Sequence, residues 1–208
     1  TGNIVTINDG TLNTGYVIGG YSDNGNATGN IVTINKTTNG FQGVTGGHGT
    51  SEVTNNIITI NGGTIGIIRG GSKGTNTSSN EINIYGGTIK PSVGSPNAII
   101  CGGQSDYYGS ATNNKVNIYR SADLSQASIY GGYYVNIDIV TGNTLNIGGQ
   151  VGSTTYRLTG LTAQNIGNFQ NLNFYLPSSI AANGSVLTLT ANNATTLGSA
   201  TASANISA

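Results

Sequence analysis

Residues 56–71 read NIITINGGTIGIIRGG, and the fold follows from how this stretch is built. Its opening alternates, so Ile58 and Ile60 fall on one side of an extended chain and Thr59 on the other. A glycine turn leads to a second apolar point at Ile65, and a third extended piece stops at Gly70–Gly71. Three short strands in so few residues bury little by themselves. The unit needs copies to stack on.

The copies are present. Strand openings of the same form begin at Asn3, Asn30, Asn56, Asn80, Asn114 and Asn143, between 24 and 34 residues apart. Self-similarity at that period indicates a solenoid or a propeller, and a propeller blade needs about 40 residues and four strands. The inward set reads Val5/Ile7, Val32/Ile34, Ile58/Ile60, Ile82/Ile84, Val116/Ile118 and Leu145/Ile147. Between them stand Thr6, Thr33, Thr59, Asn83, Asn117 and Asn146, a polar ladder that faces out. A one-residue slip would exchange the two sets, so the register is strongly specified. The expected fold is all-β: a right-handed parallel β-helix with three short strands per coil, the hand following the usual crossover rule.

In the second strand, Leu12, Ile65, Ile89, Leu124 and Val151 are expected to point inward. The third ends at the pairs Gly19–Gly20, Gly46–Gly47, Gly70–Gly71, Gly102–Gly103 and Gly131–Gly132, read as tight corners. Before each pair stands an apolar residue (Val17, Val44, Ile68, Ile100, Ile129) and then a chemically mixed, outward one (Ile18, Thr45, Arg69, Cys101, Tyr130). The polar segments at 22–29, 72–80 and 104–113 read as loops, as does the proline-containing 90–98. Repeat coils are expected over residues 1–153, and degenerate coils or a cap of the same solenoid over 154–208. Both ends fall abruptly in repeat-like sequence, so neighbouring coils of the same longer chain are expected to flank this one.

Composition narrows the function. Seven basic side chains balance seven acidic ones, and only 7% of the 208 residues are charged, so no field steers the chain to nucleic acid. No stretch approaches the roughly 20 apolar residues that cross a bilayer, and no membrane insertion by this segment is expected. Cys101 stands alone, so no disulfide supports the coils.

The repeats TGNIVTINDGTLNTGYVIGGYSDNGNATGNIVTI and NIITINGGTIGIIRGG resemble passenger-domain repeats of bacterial autotransporter (type V secretion) adhesins. The tail NFQNLNFYLPSSIAANGSVLTLT resembles segments found downstream of such repeats. The resemblance implies an exported protein displayed outside the cell, on the outer surface of a Gram-negative bacterium, with a job in adhesion or display. A host-cell or bacterial surface protein or glycan is the implied partner.

No catalytic set stands out. Asp9, Asp23, Glu52, Glu81, Asp106, Asp123 and Asp138 are scattered, whereas a polysaccharide-cleaving enzyme on this fold needs paired carboxylates on one face. Glu81 and Lys115 meet if opening positions stack, and such a pair reads as a surface ion pair. His48 has no ligand partner at metal spacing, Cys101 reads as inert, and the glycine pairs lack the aspartate of calcium-binding β-rolls. The threonine ladder is one residue wide, too narrow for an ice-binding array. No catalytic residue, metal or cofactor is therefore assigned. Tyr107, Tyr108, Tyr133 and Tyr134 are the binding candidates, because tyrosine offers apolar area and a hydroxyl at small entropic loss. The alternatives are the polysaccharide-cleaving enzyme and a purely structural spacer.

Overall fold

A computed structural model describes residues 1–11, 15–37, 40–92, 95–134, 139–191 and 200–206, the side chains of 106–108, 134 and 206 excepted. Among the described residues all regular structure is β, and stacked parallel sheets form a β-solenoid of about six turns. The first sheet runs Ile4–Ile7, Ile31–Ile34, Ile57–Ile60, Glu81–Ile84, Lys115–Ile118, Thr144–Ile147, Asn171–Leu176 and Thr201–Ile206, each strand parallel to the next. Every opening pairs in the register the alternation requires, for example Ile58 with Ile82 and Thr59 with Asn83. Ile34, Ile58, Ile60, Ile82, Ile84, Val116 and Ile118 are fully buried, while Val5 and Ile7 in the first strand pack against the core from its margin.

The second sheet holds Tyr16–Tyr21, Phe41–His48, Thr64–Ser78, Ala98–Thr112, Leu124–Tyr134, Leu161–Gly167 and Leu187–Leu189. Here the coil is divided differently from the sequence reading. The expected second and third strands run together through Thr64–Ser78, passing the glycine pair without a corner. The chain beyond the pair, read as a loop at 72–80 and 104–113, is extended. Glu52–Thr54, the segment from Asn76 to Ser78, that from Ser110 to Thr112, and Ile139–Thr141 pair in parallel as the coil's third stretch. Val53, Thr77 and Ala111 are its buried inward residues. The polarity of 72–80 and 104–113 hid a strand because only every second residue there faces the core.

The corner lies one residue before each opening asparagine. Gly2, Gly29, Asn55, Ser79, Asn113 and Gly142 all have φ between +56° and +70°. The glycine pairs have another use, which is space. Asn30, Asn56, Asn80, Asn114 and Asn143 turn inward and are fully buried beneath them. Each Nδ2 donates to the next coil's Oδ1: Asn30 to Asn56 at 2.7 Å, Asn56 to Asn80 at 2.9 Å, Asn80 to Asn114 at 3.0 Å, Asn114 to Asn143 at 3.1 Å. Its second hydrogen goes to a third-stretch carbonyl, as from Asn80 to Val53 (2.9 Å) and from Asn114 to Thr77 (3.0 Å). The backbone N–H of Asn56 also donates to Asn80 Oδ1 (3.1 Å). A buried amide with all its groups paired stabilises the stack, at about 1 kcal/mol net per bond. Gln170 takes the asparagine's place in the coil after Asn143, accepting from its N–H at 2.9 Å.

From residue 154 onward the chain continues both sheets, and Leu161, Ala163, Ile166, Phe169 and Leu172 belong to the same core. Val151 departs from the inward assignment. It is 39% exposed, in an antiparallel hairpin of Gly149–Val151 with Thr154–Tyr156. That hairpin brings Tyr156 against Tyr119 (5.4 Å) and Tyr85 (5.7 Å), with Arg120 5.4 Å above the Tyr156 ring. Tyr85 and Tyr119 themselves stack at 4.7 Å, at the position held by the hydrogen-bonded Asn35 and Asn61 in earlier coils. The outward Asn83 and Asn117 are buried too, closed off by their own ladder of amide bonds (Asn117 to Asn83, 2.8 Å; Asn146 to Asn117, 2.6 Å). Leu12 lies outside the described residues.

Candidate functional site

The outer face of the second sheet carries the chemically varied side chains. Parallel register aligns them in columns. One column reads Ile18, Thr45, Arg69, Cys101, Tyr130, and a second reads Tyr21, His48, Ser72, Gln104, Tyr133. Arg69 thus stands between Thr45 and Cys101, and Tyr133 stands beside Gln104. Both columns flank the glycine pairs, whose missing side chains keep the strands straight over the asparagine ladder.

A groove of about 300 Å³ opens along these columns, with Tyr16, Ile18 and Thr45 at one end and Gln104 at the other. His48, Arg69, Ser72 and Lys73 line its length. Tyr16 reaches it because the next coil has Gly43 at the paired position. A β-carbon there would lie 2.8 Å from the Tyr16 ring, so the ring rests on the bare backbone. Tyr130 uses Gly167 in the same way, with ring atoms 3.2 Å from where a β-carbon would sit. Tyr21 and His48 stack in parallel, centroids 5.0 Å apart and planes 4° from parallel. The Tyr21 hydroxyl donates to Asp23 at 2.7 Å, and this bond, ahead of the carboxylate's charge, raises the phenol pKa.

Lys73 sits at φ +75°, in the left-handed region that a long L side chain rarely adopts. Asn55, Ser79 and Asn113 occupy that region because the solenoid corner demands it. Lys73 lies inside the Thr64–Ser78 strand instead, and its side chain lines the groove.

Cys101, named above among the outward residues, is completely buried, between Arg69 and Tyr130 of the adjoining coils. Its thiol donates to the Gly103 carbonyl at 3.1 Å, and burial pushes its pKa up to about 12 against the opposing pull of the Arg69 charge. A protonated, covered thiol is chemically quiet.

Of the four tyrosines singled out from the sequence, the described geometry covers Tyr133. It is half-buried and leans on Tyr130, with centroids 5.1 Å apart. Tyr134 pairs along the backbone with Ser105. Tyr107 and Tyr108 fall where the pairing of Ala98–Thr112 shifts register between Ser105 and Ser110, on a strand rather than in the expected loop. The side chains of Tyr107, Tyr108 and Tyr134 lie outside the described residues. Sequence reading missed Tyr16 and the groove. The signal available was Arg69 in the mixed column before the glycine pair, which becomes a site once the columns are laid side by side.

The described carboxylates stay apart, Asp138 and the Asp106 side chain lying outside the described residues. Asp9 pairs with Lys36 at 3.6 Å, Glu52 accepts from Asn76 at 2.7 Å, and Glu81 accepts from Asn117 at 3.3 Å. Asp123 accepts from the Ser125 hydroxyl at 2.7 Å, which lowers its pKa, and borders a separate cavity of about 260 Å³ beside Leu158 and Leu161. Glu81 and Lys115 stack in register, but the expected ion pair between them does not form, and Glu81 accepts from Asn117 instead. Among the described residues no three His, Cys, Asp or Glu side chains come together as a metal site, and no helix is long and apolar enough to cross a membrane.

The fold and this face define a parallel β-solenoid with a largely apolar groove on one sheet that carries Arg69 and Lys73. No family model, curated protein or solved structure matches the chain.

Proposed function

We propose that the chain is a stiff segment of an exported bacterial surface protein that serves in adhesion, presenting its second sheet to a host-cell or neighbouring-cell surface protein or glycan. The observation that carries this reading is the strip formed by Tyr16, Tyr21 with His48, Arg69, Gln104, and Tyr130 with Tyr133, which crosses five successive coils. Aromatic faces interleaved with a cation and amides suit recognition of an extended partner. The uninterrupted aliphatic and asparagine ladders beneath hold that strip rigid, so little ordering entropy is lost on binding. The sequence resemblance to autotransporter passengers supports surface display.

The test is adhesion itself. Beads coated with the chain should bind host or bacterial cells, and binding should fall when Tyr16, Arg69 and Tyr133 are replaced together. Unchanged binding by that variant, or none by the parent, overturns the reading. Glycan depolymerisation abolished by a single carboxylate substitution would instead favour the polysaccharide-cleaving alternative.

A further inference from the structure

We propose that the groove over Arg69 is a binding site for a carboxylate-bearing sugar, such as a terminal sialic or uronic acid. The inference deepens the adhesion reading, and rests on it only for the sugar's being met at a cell surface.

Three observations carry it. First, Arg69 is a half-buried guanidinium in the groove floor that, among the described residues, makes neither a hydrogen bond nor an ion pair. A partly desolvated, unpaired guanidinium is an unfavourable arrangement unless an anion completes it. Its planar fork matches a carboxylate in a bidentate way that a lone ammonium does not. Second, the charges lining the groove are of one sign. Arg69 and Lys73 face it, and none of the described residues lining it is acidic. In a chain with seven basic and seven acidic residues, two cations in one groove with no carboxylate among its described lining residues is a local departure from balance. Lys73 is the bulge residue between the Ser72–Gln104 and Gly74–Ser105 pairs, at φ +75°, and the bulge turns its side chain to the groove.

Third, the groove pairs an apolar ring surface with polar groups, as a sugar requires. The Tyr16 ring rests over Gly43, Ile18 lines the same end, and Ser72 and Gln104 offer hydroxyl and amide groups further along. A cavity of about 300 Å³ has room for one or two pyranose units. The carboxylate would lie on the Arg69 fork, with the Lys73 ammonium at the rim and the ring's apolar face on Tyr16.

The probe is an array of matched glycans differing only in the terminal residue: sialic acid, glucuronic acid, or the neutral hexose. The chain should prefer the acidic members, and high salt should weaken that preference. Arg69→Gln should weaken acidic-glycan binding by ~10–100-fold while neutral members are unaffected. Arg69→Lys, which keeps the charge and loses the fork, should fall between the two. Arg120→Gln, at the Tyr156 corner, should change nothing. Retained melting temperature separates these effects from misfolding. Equal binding of acidic and neutral members, or indifference to both Arg69 variants, overturns the proposed site. Cell adhesion that persists alongside either result leaves the adhesion reading standing, whereas loss of both overturns the two together.

Discussion

Gly70 and the Asn80 side chain share one space. A β-carbon built on Gly70 would lie 2.8 Å from Asn80 Cβ and would drive into the Gly102 carbonyl oxygen. The same relation joins Gly46 with Asn56 (2.9 Å) and Gly102 with Asn114 (2.7 Å). The glycine pairs and the strand-opening asparagines are therefore one device, split between two ends of the repeat.

Gly70→Ala should accordingly destabilise the chain by ~3 kcal/mol or more, because neither backbone nor buried amide has room to move. Gly10→Ala, with no atom within 4 Å of the added carbon, should stay within about 0.5 kcal/mol. Urea titration of the two variants checks this, and matching midpoints would refute the shared-space account.

Asn80→Ala should cost ~3 kcal/mol, since it leaves the Asn56 N–H and amide, the Val53 carbonyl and Asn114 Oδ1 short of partners in the dry interior. Thr59→Ala, on the outward ladder of the neighbouring coil, should cost no more than about 0.5 kcal/mol. Thermal melts of the pair measure the difference between an inward and an outward polar ladder.

Ser79 holds the corner at φ +56°, where a β-carbon is unfavourable, and Gly142 holds the equivalent corner at +69°. Ser79→Gly should raise stability by ~0.5–1 kcal/mol. Gly142→Ala should lower it by more, as the new carbon would meet Asn113 Oδ1 as well as the backbone strain. Opposite shifts in melting temperature are expected, and shifts of the same sign would place the corner elsewhere.

The Cys101 thiol sets a pH dependence. Below about 9, its ordinary value, folded and unfolded chains both hold the proton. Between about 9 and about 12 only the folded chain does. This group's contribution to stability is therefore intact below pH 9 and is lost as pH rises, at about 1.4 kcal/mol per unit. The stability gap between the parent and Cys101→Ala should shrink from pH 8 to pH 11. Iodoacetamide should label Cys101 only under unfolding conditions. Rapid labelling of the folded chain would show the thiol is accessible.

Much of this architecture was legible in the chain. The Val/Ile alternation at six openings determined the inward face, the register and the stacking, because a period of two leaves each side chain one face to occupy. The third stretch was harder to see. Glu52–Thr54 and the 76–78 segment bury one side chain each, Val53 and Thr77, and their polar neighbours look like loop. Asn56 and Asn80 marked the repeat without revealing that they point inward, since an amide in a dry core is tolerable only when the coils above and below pair with it.

Sequence by itself determined that this protein is a parallel β-solenoid, since local alternation and a constant period are all that stacking requires. Tertiary structure alone decided what the solenoid carries on its surface. Tyr16, Gly43, Arg69 and Gln104 are distant along the chain and become neighbours because the coil step places them there. Their grouping is set by register between coils, which no single repeat contains.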